Sequence, residues 1–223
     1  MSGAGDVATM LRYVALGDSY TIGTAVDPAE RWPDQLVAAL VPPFGRLELA
    51  ANLAVDGSTS GDVLTRQLPG VAAHGPGFVS LLVGVNDVVQ GVPTARYRRQ
   101  LEVIVEALVA LVGRSRVLLV TTPDYTVTPA GADYGDPVER ARGIREVNGA
   151  LRQVAAEHGV VVADVHDLSL QAADDPTLVA PDGLHPSGRQ YARWVAERIQ
   201  PVTLDLLGWS TSPDHGPPTP AQR

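Results

Sequence analysis

The sequence contains neither cysteine nor lysine. Without cysteine the chain can form no disulfide, thiol nucleophile or thiolate metal site, and its redox compartment stays undetermined. Without lysine it cannot form a standard phosphate-binding loop, and the glycine-rich segment GDSYTIG does not match the GxGxxG fingerprint either. The formal net charge is −8 and no basic stripe is present. Nucleic acid is therefore not expected as a partner, and the acidic surface favours solubility.

Long apolar runs are also missing, so no membrane span is predicted. The first residues, MSGAGDVATMLRY, lack the basic and apolar regions of a secretory signal. We expect a soluble, cytoplasmic protein, with secretion after removal of a signal as the alternative. Hydrophobic residues make up 45% and charged residues 19% of the 223 residues, which is enough for one domain with a substantial core.

Apolar segments alternate with segments of helical periodicity. Strands are predicted to begin at Tyr13, Leu47, Phe78, Arg116 and Val160, and helices at Pro33, Ser60, Thr94, Pro137 and Ser187. Strands that are buried on both faces and alternate with helices predict a mostly parallel sheet in a three-layer α/β/α sandwich. We expect one domain over residues 1–208, a long loop over 124–137 and a disordered, proline-rich tail over 209–223.

Polar residues follow several of the predicted strands, where parallel sheets bind their ligands. The segment GDSY places Ser19 directly after the first strand, and NLAVDGSTSGD places Gly57 in a turn before a helix. GVND places Asn86 after the third strand. Near the carboxyl terminus, PDGLHPSG places Asp182 three residues before His185. We expect these segments to meet at one edge of the sheet.

These residue types are the ones that acyl transfer needs. A serine hydroxyl becomes a nucleophile when a neutral imidazole takes its proton, and a carboxylate holds that imidazole in the correct tautomer. The negative charge that develops on the carbonyl oxygen needs hydrogen-bond donors already in place. We therefore predict Ser19, Asp182 and His185 as catalytic residues. The amides of Ser19 and Gly57 and the side chain of Asn86 are predicted to form the oxyanion hole.

The four segments, in this order, resemble the SGNH hydrolase superfamily, also called GDSL-type esterases and lipases. The resemblance extends from about Tyr13 to Leu206. It implies a flavodoxin-like sandwich and hydrolysis of esters or thioesters through an acyl-enzyme, with no metal or other cofactor. It also implies the roles just given for the five residues. Tyr20 stands where the family name has leucine, and we expect it to alter the wall of the pocket.

Further substrate contacts are expected beside these segments and in the long loop, because such loops often carry binding residues. The candidates are Tyr20, Asp87, Val88, Tyr125 and Tyr134. His166 and Asp167 form a rival Asp–His pair, for which a structural role at a strand end is favoured. Scattered histidines and carboxylates without tight ligand spacing make a metal site improbable.

Each candidate residue alone has an ordinary explanation, since Ser19 suits a helix cap, Gly57 a tight turn and His185 a protein surface. Their joint occurrence in one order favours a hydrolase of carboxylic esters with short to medium acyl chains, acting on a small molecule. A thioesterase, a lysophospholipase, a carbohydrate deacetylase and an acyltransferase share this chemistry and stay open. A ligand-binding protein on the same fold is the alternative without catalysis. The oligomeric state is left open.

Overall fold

A computed structural model describes residues 10–40 and 47–209 of the chain. The expected tail lies outside the described residues apart from Trp209, and so do the first nine residues of the expected domain. The boundaries of the domain and of the tail therefore stay predictions.

A five-stranded sheet forms the centre of the molecule. Its strands are β1 (Leu11–Gly17), β2 (Leu47–Asn52), β3 (Phe78–Leu82), β4 (Val117–Val120) and β5 (Val161–Ala163). They lie in the order β2-β1-β3-β4-β5, and every neighbouring pair is parallel. This is the flavodoxin-like strand order. The predicted α/β fold with a mostly parallel sheet is confirmed.

Helices cover both faces of the sheet. The α-helices are α1 (Ser19–Ile22), α2 (Trp32–Ala39), α3 (Ser60–Asp62), α4 (Val85–Val89), α5 (Thr94–Val112), α6 (Pro137–His158), α7 (His166–Ser169), α8 (Gly188–Trp194) and α9 (Gln200–Leu207). Short 3₁₀ helices include Tyr125–Val127 and Gly131–Tyr134, within the segment predicted as a loop. Helix α6 has the predicted bounds, because Asp136 caps its first turn and Gly159 ends it with a left-handed φ of 64°.

Two apolar clusters fill the space between the sheet and its helices. Alternate residues of β1 point to opposite faces, so Tyr13 belongs to one cluster and Val14 to the other. The first cluster includes Trp32 of α2 and Trp194 of α8, and the second includes Ile104 of α5 together with much of α6. Burial of each large apolar side chain contributes roughly 1.5–3 kcal/mol, so these two clusters hold the three layers together.

The structure differs from the sequence-based expectation at several elements. The third strand ends at Leu82, because Gly84 has a φ of 142° and α4 begins after it, so Asn86 lies in a short helix rather than in a loop. The fifth strand ends at Ala163, where Asp164 accepts a hydrogen bond from the amide of His166 and α7 begins. The helix predicted from Ser60 continues only as a π-helical turn (Val63–Gln67) and a 3₁₀ helix, since a proline near the start of the latter lacks an N–H donor.

Within residues 10–40 and 47–209, no helix is both long and apolar enough to cross a membrane.

Candidate active site

The carboxyl ends of β1, β2 and β3 bring together three of the predicted site residues. Ser19 is the first residue of α1, directly after β1, and Asn86 lies in α4, after β3. Gly57 lies in the turn that follows β2. Between β1 and β3 the strand order reverses, and parallel sheets bind ligands at such switch points. The topology therefore places these residues where a ligand site is expected.

The turn before Ser19 requires glycine. Gly17 has a φ of 152°, and a Cβ atom there would lie 2.3 Å from the carbonyl oxygen of Leu82 in β3. The chain can therefore leave the sheet at this point only without a side chain. Asp18 follows and caps α1, because its side-chain oxygen Oδ1 accepts a hydrogen bond from the amide of Tyr20 at 3.0 Å. Ser19 is left at the start of the helix with 7% of its surface exposed.

The Asp18 carboxyl group is fully buried beside Ser19. Burial raises the pKa of Asp18 to about 8, although the hydrogen bond from the Tyr20 amide acts in the opposite direction. Its second oxygen, Oδ2, has no hydrogen-bond partner among the described residues. The fold therefore favours the protonated form of this carboxyl group.

The turn after β2 and the start of α4 are joined by a hydrogen bond. The side-chain Nδ2 of Asn86 donates to the carbonyl oxygen of Ser58 at 3.1 Å. Gly57 has a left-handed φ of 74°, which glycine adopts without strain. Beside it, the carboxylate of Asp56 accepts a hydrogen bond from the hydroxyl of Thr24 at 2.6 Å. The Asn86 side chain is thus oriented by the same loop that carries Gly57.

Asp182 and His185 form a hydrogen-bonded pair. Nδ1 of His185 lies 2.5 Å from Oδ2 of Asp182, and the amides of Leu184 and His185 donate to Oδ1, both at 3.0 Å. Partial burial acts to raise the pKa of Asp182, but these hydrogen bonds outweigh it and the pKa is lowered below its ordinary value. Gly183 makes the turn with a φ of 74°. The carboxylate is therefore ionised and aimed at the imidazole.

A cavity of about 260 Å³ joins these elements. Ser19, Gly57, Asn86 and His185 all line it, and so do the predicted wall residues Tyr20, Tyr125 and Tyr134. The Tyr20 ring lies 5.5 Å from that of His185, and the rings of Tyr125 and Tyr134 meet edge to face at 6.0 Å. The remaining lining residues were not anticipated from the sequence: Thr24, Asp56, Val85, Val89 and Leu184.

Asp87 and Val88 do not line this cavity, contrary to expectation. Asp87 is fully buried, and its carboxylate accepts hydrogen bonds from the amide of Ser60 at 2.8 Å and from its hydroxyl at 2.5 Å. Burial raises the pKa of Asp87. Val88 packs against Gly143 of α6. The helical spacing of VNDVV explains this, because Val85 and Val89 share the face of α4 that lines the cavity while the next two residues after Asn86 turn inward.

The rival pair is not a pair in the structure. Asp167 bonds to Arg198 at 2.8 Å, and the imidazole of His166 faces the carboxylate of Asp124, with 3.8 Å between Nε2 and Oδ2. Neither His166 nor Asp167 lines the cavity that holds Ser19. Over the described ranges no group of three or more histidine and carboxylate side chains could hold a metal ion.

An all-parallel sheet of this strand order, flanked by helices, is the fold of the α/β SGNH hydrolases. Residues 15–193 match the model of the GDSL-like lipase/acylhydrolase family. Because the match covers well over half of the sequence, the chain belongs to this family. A comparison with curated proteins gives no match.

Solved structures of the same fold are similar to the chain over most of its length. TesA shares 22% identity with a TM-score of 0.70, over 87% of this chain and 99% of TesA. The lipase/acylhydrolase from Enterococcus faecalis shares 24% identity with a TM-score of 0.67, over 89% and 95%. Axe2, an acetylxylan esterase from Geobacillus stearothermophilus, shares 20% identity with a TM-score of 0.67, over 93% and 100%. At these identities the likeness shows the fold alone.

Proposed function

We propose that the protein is a serine hydrolase that cleaves carboxylic esters with short to medium acyl chains. The observation that carries this proposal is the meeting of Ser19, Gly57, Asn86 and His185 around one cavity, with Asp182 bonded to the imidazole. These residues come from four separate segments of the chain. Membership of the GDSL-like lipase/acylhydrolase family supports the same chemistry.

In the proposed mechanism His185 takes the proton of the Ser19 hydroxyl, and the serine oxygen attacks the acyl carbonyl. Asp182 keeps Nδ1 of the imidazole protonated, so that Nε2 is free to act as the base, and it stabilises the imidazolium that forms. The imidazolium then gives the proton to the leaving alcohol. Water attacks the acyl-enzyme with the help of the same base, and the acid is released as Ser19 regains its proton.

The oxyanion of each tetrahedral intermediate would be held by three donors. The amides of Ser19 and Gly57 donate to no acceptor within the described part of the chain, so both are available to a substrate. Asn86 Nδ2 uses one hydrogen on the carbonyl of Ser58 and keeps the other. Loss of one such donor typically lowers the rate by about 10²–10³-fold.

The size and charge of the cavity support a small, uncharged ester. Its volume of about 260 Å³ lies just below the roughly 300–1,000 Å³ that is usual for pockets that hold drug-sized ligands. Valine, leucine and tyrosine side chains form much of its wall, and Asp56 is the one lining residue among the described residues that carries a full charge. A carboxylate there disfavours the phosphate groups of lysophospholipids and of coenzyme A thioesters. We further propose a cytoplasmic location, as the sequence predicts.

Hydrolysis of p-nitrophenyl acetate, butyrate, octanoate and palmitate by the wild type and by Ser19→Ala tests the function. We expect turnover of the shorter esters and a loss of at least about 10³-fold in kcat for Ser19→Ala. Ser115→Ala is the matched control, since Ser115 is exposed and lies outside the cavity; its kcat should equal that of the wild type. Thioesters, lysophospholipids and acetylated sugars in the same panel separate the alternatives.

An absence of turnover on every ester, or equal turnover by Ser19→Ala, would overturn the proposal. Binding of the same compounds without turnover would then favour a ligand-binding protein on this fold.

A further inference from the structure

A glutamine side chain extends the hydrogen bonding of the sheet at the end of β1. β1 runs to Gly17, but its neighbour β2 already ends at Asn52. The N–H and C=O of Gly17 therefore lie beyond the last paired residue of β2. Gln67 reaches this position from the π-helical turn: its Oε1 accepts from Gly17 N–H at 3.0 Å, and its Nε2 donates to Gly17 C=O at 2.7 Å. One carboxamide thus supplies both an acceptor and a donor to Gly17 where the paired part of β2 has ended.

These hydrogen bonds are shielded from water. Gln67 is 4% exposed, although it does not line the cavity that holds Ser19. The carbonyl of Gly17 has one further donor, the amide of Val55, at the longer distance of 3.3 Å. The N–H of Gly17 depends on Gln67 among the described residues. Removal of the carboxamide would therefore leave a buried backbone donor unpaired two residues before Ser19.

The same carboxamide reaches the loop that carries Gly57. Nε2 of Gln67 lies 3.3 Å from the hydroxyl oxygen of Ser58. The backbone carbonyl oxygen of Ser58 in turn accepts the hydrogen bond from Asn86. A continuous chain of contacts therefore runs from the turn before Ser19, through Gln67 and Ser58, to Asn86. Each proposed oxyanion donor lies within two residues of a member of this chain of contacts.

We propose that Gln67 is a positioning residue that holds the Ser19 turn in register with Gly57 and Asn86; this inference rests on the proposed function. It acts through the backbone of Gly17 and through Ser58 and does not touch the substrate. Oxyanion donors are effective only within about 2.7–3.1 Å of the developing charge, so a small displacement of one loop against the other is costly. The expected defect is therefore in kcat rather than in KM.

The chain contains a matched control. Asn148 of α6 makes the same pair of bonds at the end of β4, where its Oδ1 accepts from the amide of Thr122 and its Nδ2 donates to the carbonyl of Thr122, both at 2.8 Å. It is 1% exposed. No predicted catalytic or oxyanion residue follows β4. Asn148→Leu therefore removes equivalent buried hydrogen bonds without loosening the Ser19 turn.

The first test compares Gln67→Met with Asn148→Leu, two substitutions of similar shape that remove the carboxamide. We expect both to lower the melting temperature. Gln67→Met should lower kcat by roughly 10–100-fold with KM within about twofold, and Asn148→Leu should keep kcat within about threefold of the wild type. A Gln67→Met protein with wild-type kcat would overturn the inference.

A second variant keeps the shape and makes the contact depend on pH. In Gln67→Glu a protonated carboxyl group can accept from Gly17 N–H and donate to Gly17 C=O, whereas the ionised group cannot donate. Burial and the nearby carboxylates of Asp56 and Asp62 raise the pKa of the new group, and Arg66 opposes this. The ratio of variant to wild-type kcat should fall at least about tenfold between about pH 6 and pH 9. A constant ratio would overturn the inference.

These outcomes are separable from failure of the proposed function. A wild type without Ser19-dependent ester hydrolysis would overturn the function and, with it, this role of Gln67. An active wild type with unaffected Gln67 variants would overturn the role alone.

Discussion

Two Asp–His contacts lie in the same protein and differ in almost everything that matters for catalysis. Asp182 and His185 are 2.5 Å apart, and the imidazole lines a cavity together with Ser19. Asp124 and His166 are 3.8 Å apart and lie outside that cavity. The residue types are identical, so the difference arises from the surrounding backbone and from what each imidazole faces.

The two carboxylates are held in a similar way by their local turns, so the difference lies in what each turn positions. Oδ1 of Asp182 accepts two amide hydrogen bonds within its own turn, which leaves Oδ2 for His185. Oδ1 of Asp124 likewise accepts two hydrogen bonds, from the amide and the hydroxyl of Thr126, and so caps the 3₁₀ helix that carries Tyr125, while Oδ2 faces His166. The first turn places an imidazole at the cavity that Ser19 lines, and the second caps the helix that carries Tyr125, another lining residue of that cavity. A pair of residue types therefore has no chemistry until its neighbours are known.

The largest expected effect separates the two histidines. His185→Gln removes the proposed base and should lower kcat by about 10³-fold or more. His166→Gln is the control, because it removes an imidazole that faces a carboxylate but does not line the cavity that holds Ser19, and its kcat should stay within about threefold. Equal losses of kcat in the two variants would mean that both histidines act by supporting the fold and that His185 is not the base. Esterase kinetics on the best p-nitrophenyl ester measure both.

The next effect separates the two carboxylates. Asp182→Asn should lower kcat by about 10²–10⁴-fold, because an amide cannot stabilise the imidazolium and can hold the wrong tautomer. Asp124→Asn keeps the acceptor for Thr126 and should change kcat by no more than about threefold. A normal kcat in Asp182→Asn would remove Asp182 from the proposed mechanism. Circular dichroism and melting curves establish that both variants are folded.

A third expectation concerns pH, because Asp18 and Asp182 have pKa values shifted in opposite directions. The pKa of Asp18 is raised to about 8 in the folded state, so between about pH 4 and pH 8 the folded state binds a proton that the unfolded state has lost. Its stabilising contribution is complete below the unfolded pKa near 3.9 and is lost as the pH rises towards about 8, by up to about 1.4 kcal/mol per pH unit. Asp182 contributes above its unfolded pKa and loses its contribution as the pH falls through its lowered folded value.

Melting temperatures measured against pH test these two opposite pH dependences of stability. Asp18→Asn should flatten the loss of melting temperature between about pH 5 and pH 8, since the amide still caps the Tyr20 amide but does not titrate. Asp182→Asn should change the curve only on its acid side. An Asp18→Asn curve parallel to that of the wild type would show that this carboxyl group does not govern the alkaline loss.

Much of the fold could be predicted because local signals agreed with the tertiary structure. The apolar strands mark the sheet, and the proline and glycine that bound α6 fix its ends. The parallel sheet also allowed the meeting of Ser19 and Asn86 to be predicted, because polar residues that follow buried parallel strands lie at the same edge of the sheet. The placement of these residues followed from topology, and their roles stay proposals.

The missed features depend on contacts that are distant in sequence. The segment GVND is typical of a loop, so the sequence does not predict the short helix α4. It therefore also does not predict that Asp87 points inward. Gln67 lies in a segment with an ordinary helical pattern, and its partner Gly17 is 50 residues earlier. Nothing local distinguishes a glutamine that bonds to a distant backbone from one that faces water. Such residues are found only once the layers are packed.

The smallest expected effect concerns the charge around each histidine. Asp56 contributes a carboxylate to the cavity of His185, whereas the surface pocket at His166 contains Asp167 and two arginines. Asp56→Asn should raise kcat/KM for an ester with an anionic alcohol relative to a neutral one by about two- to fivefold, and lower it for a cationic one. Asp167→Asn removes the same charge from the other pocket and should leave both ratios unchanged. Because Asp56 is exposed, the effect should shrink at high salt, and a ratio insensitive to Asp56→Asn would mean that substrate charge does not come near the carboxylate.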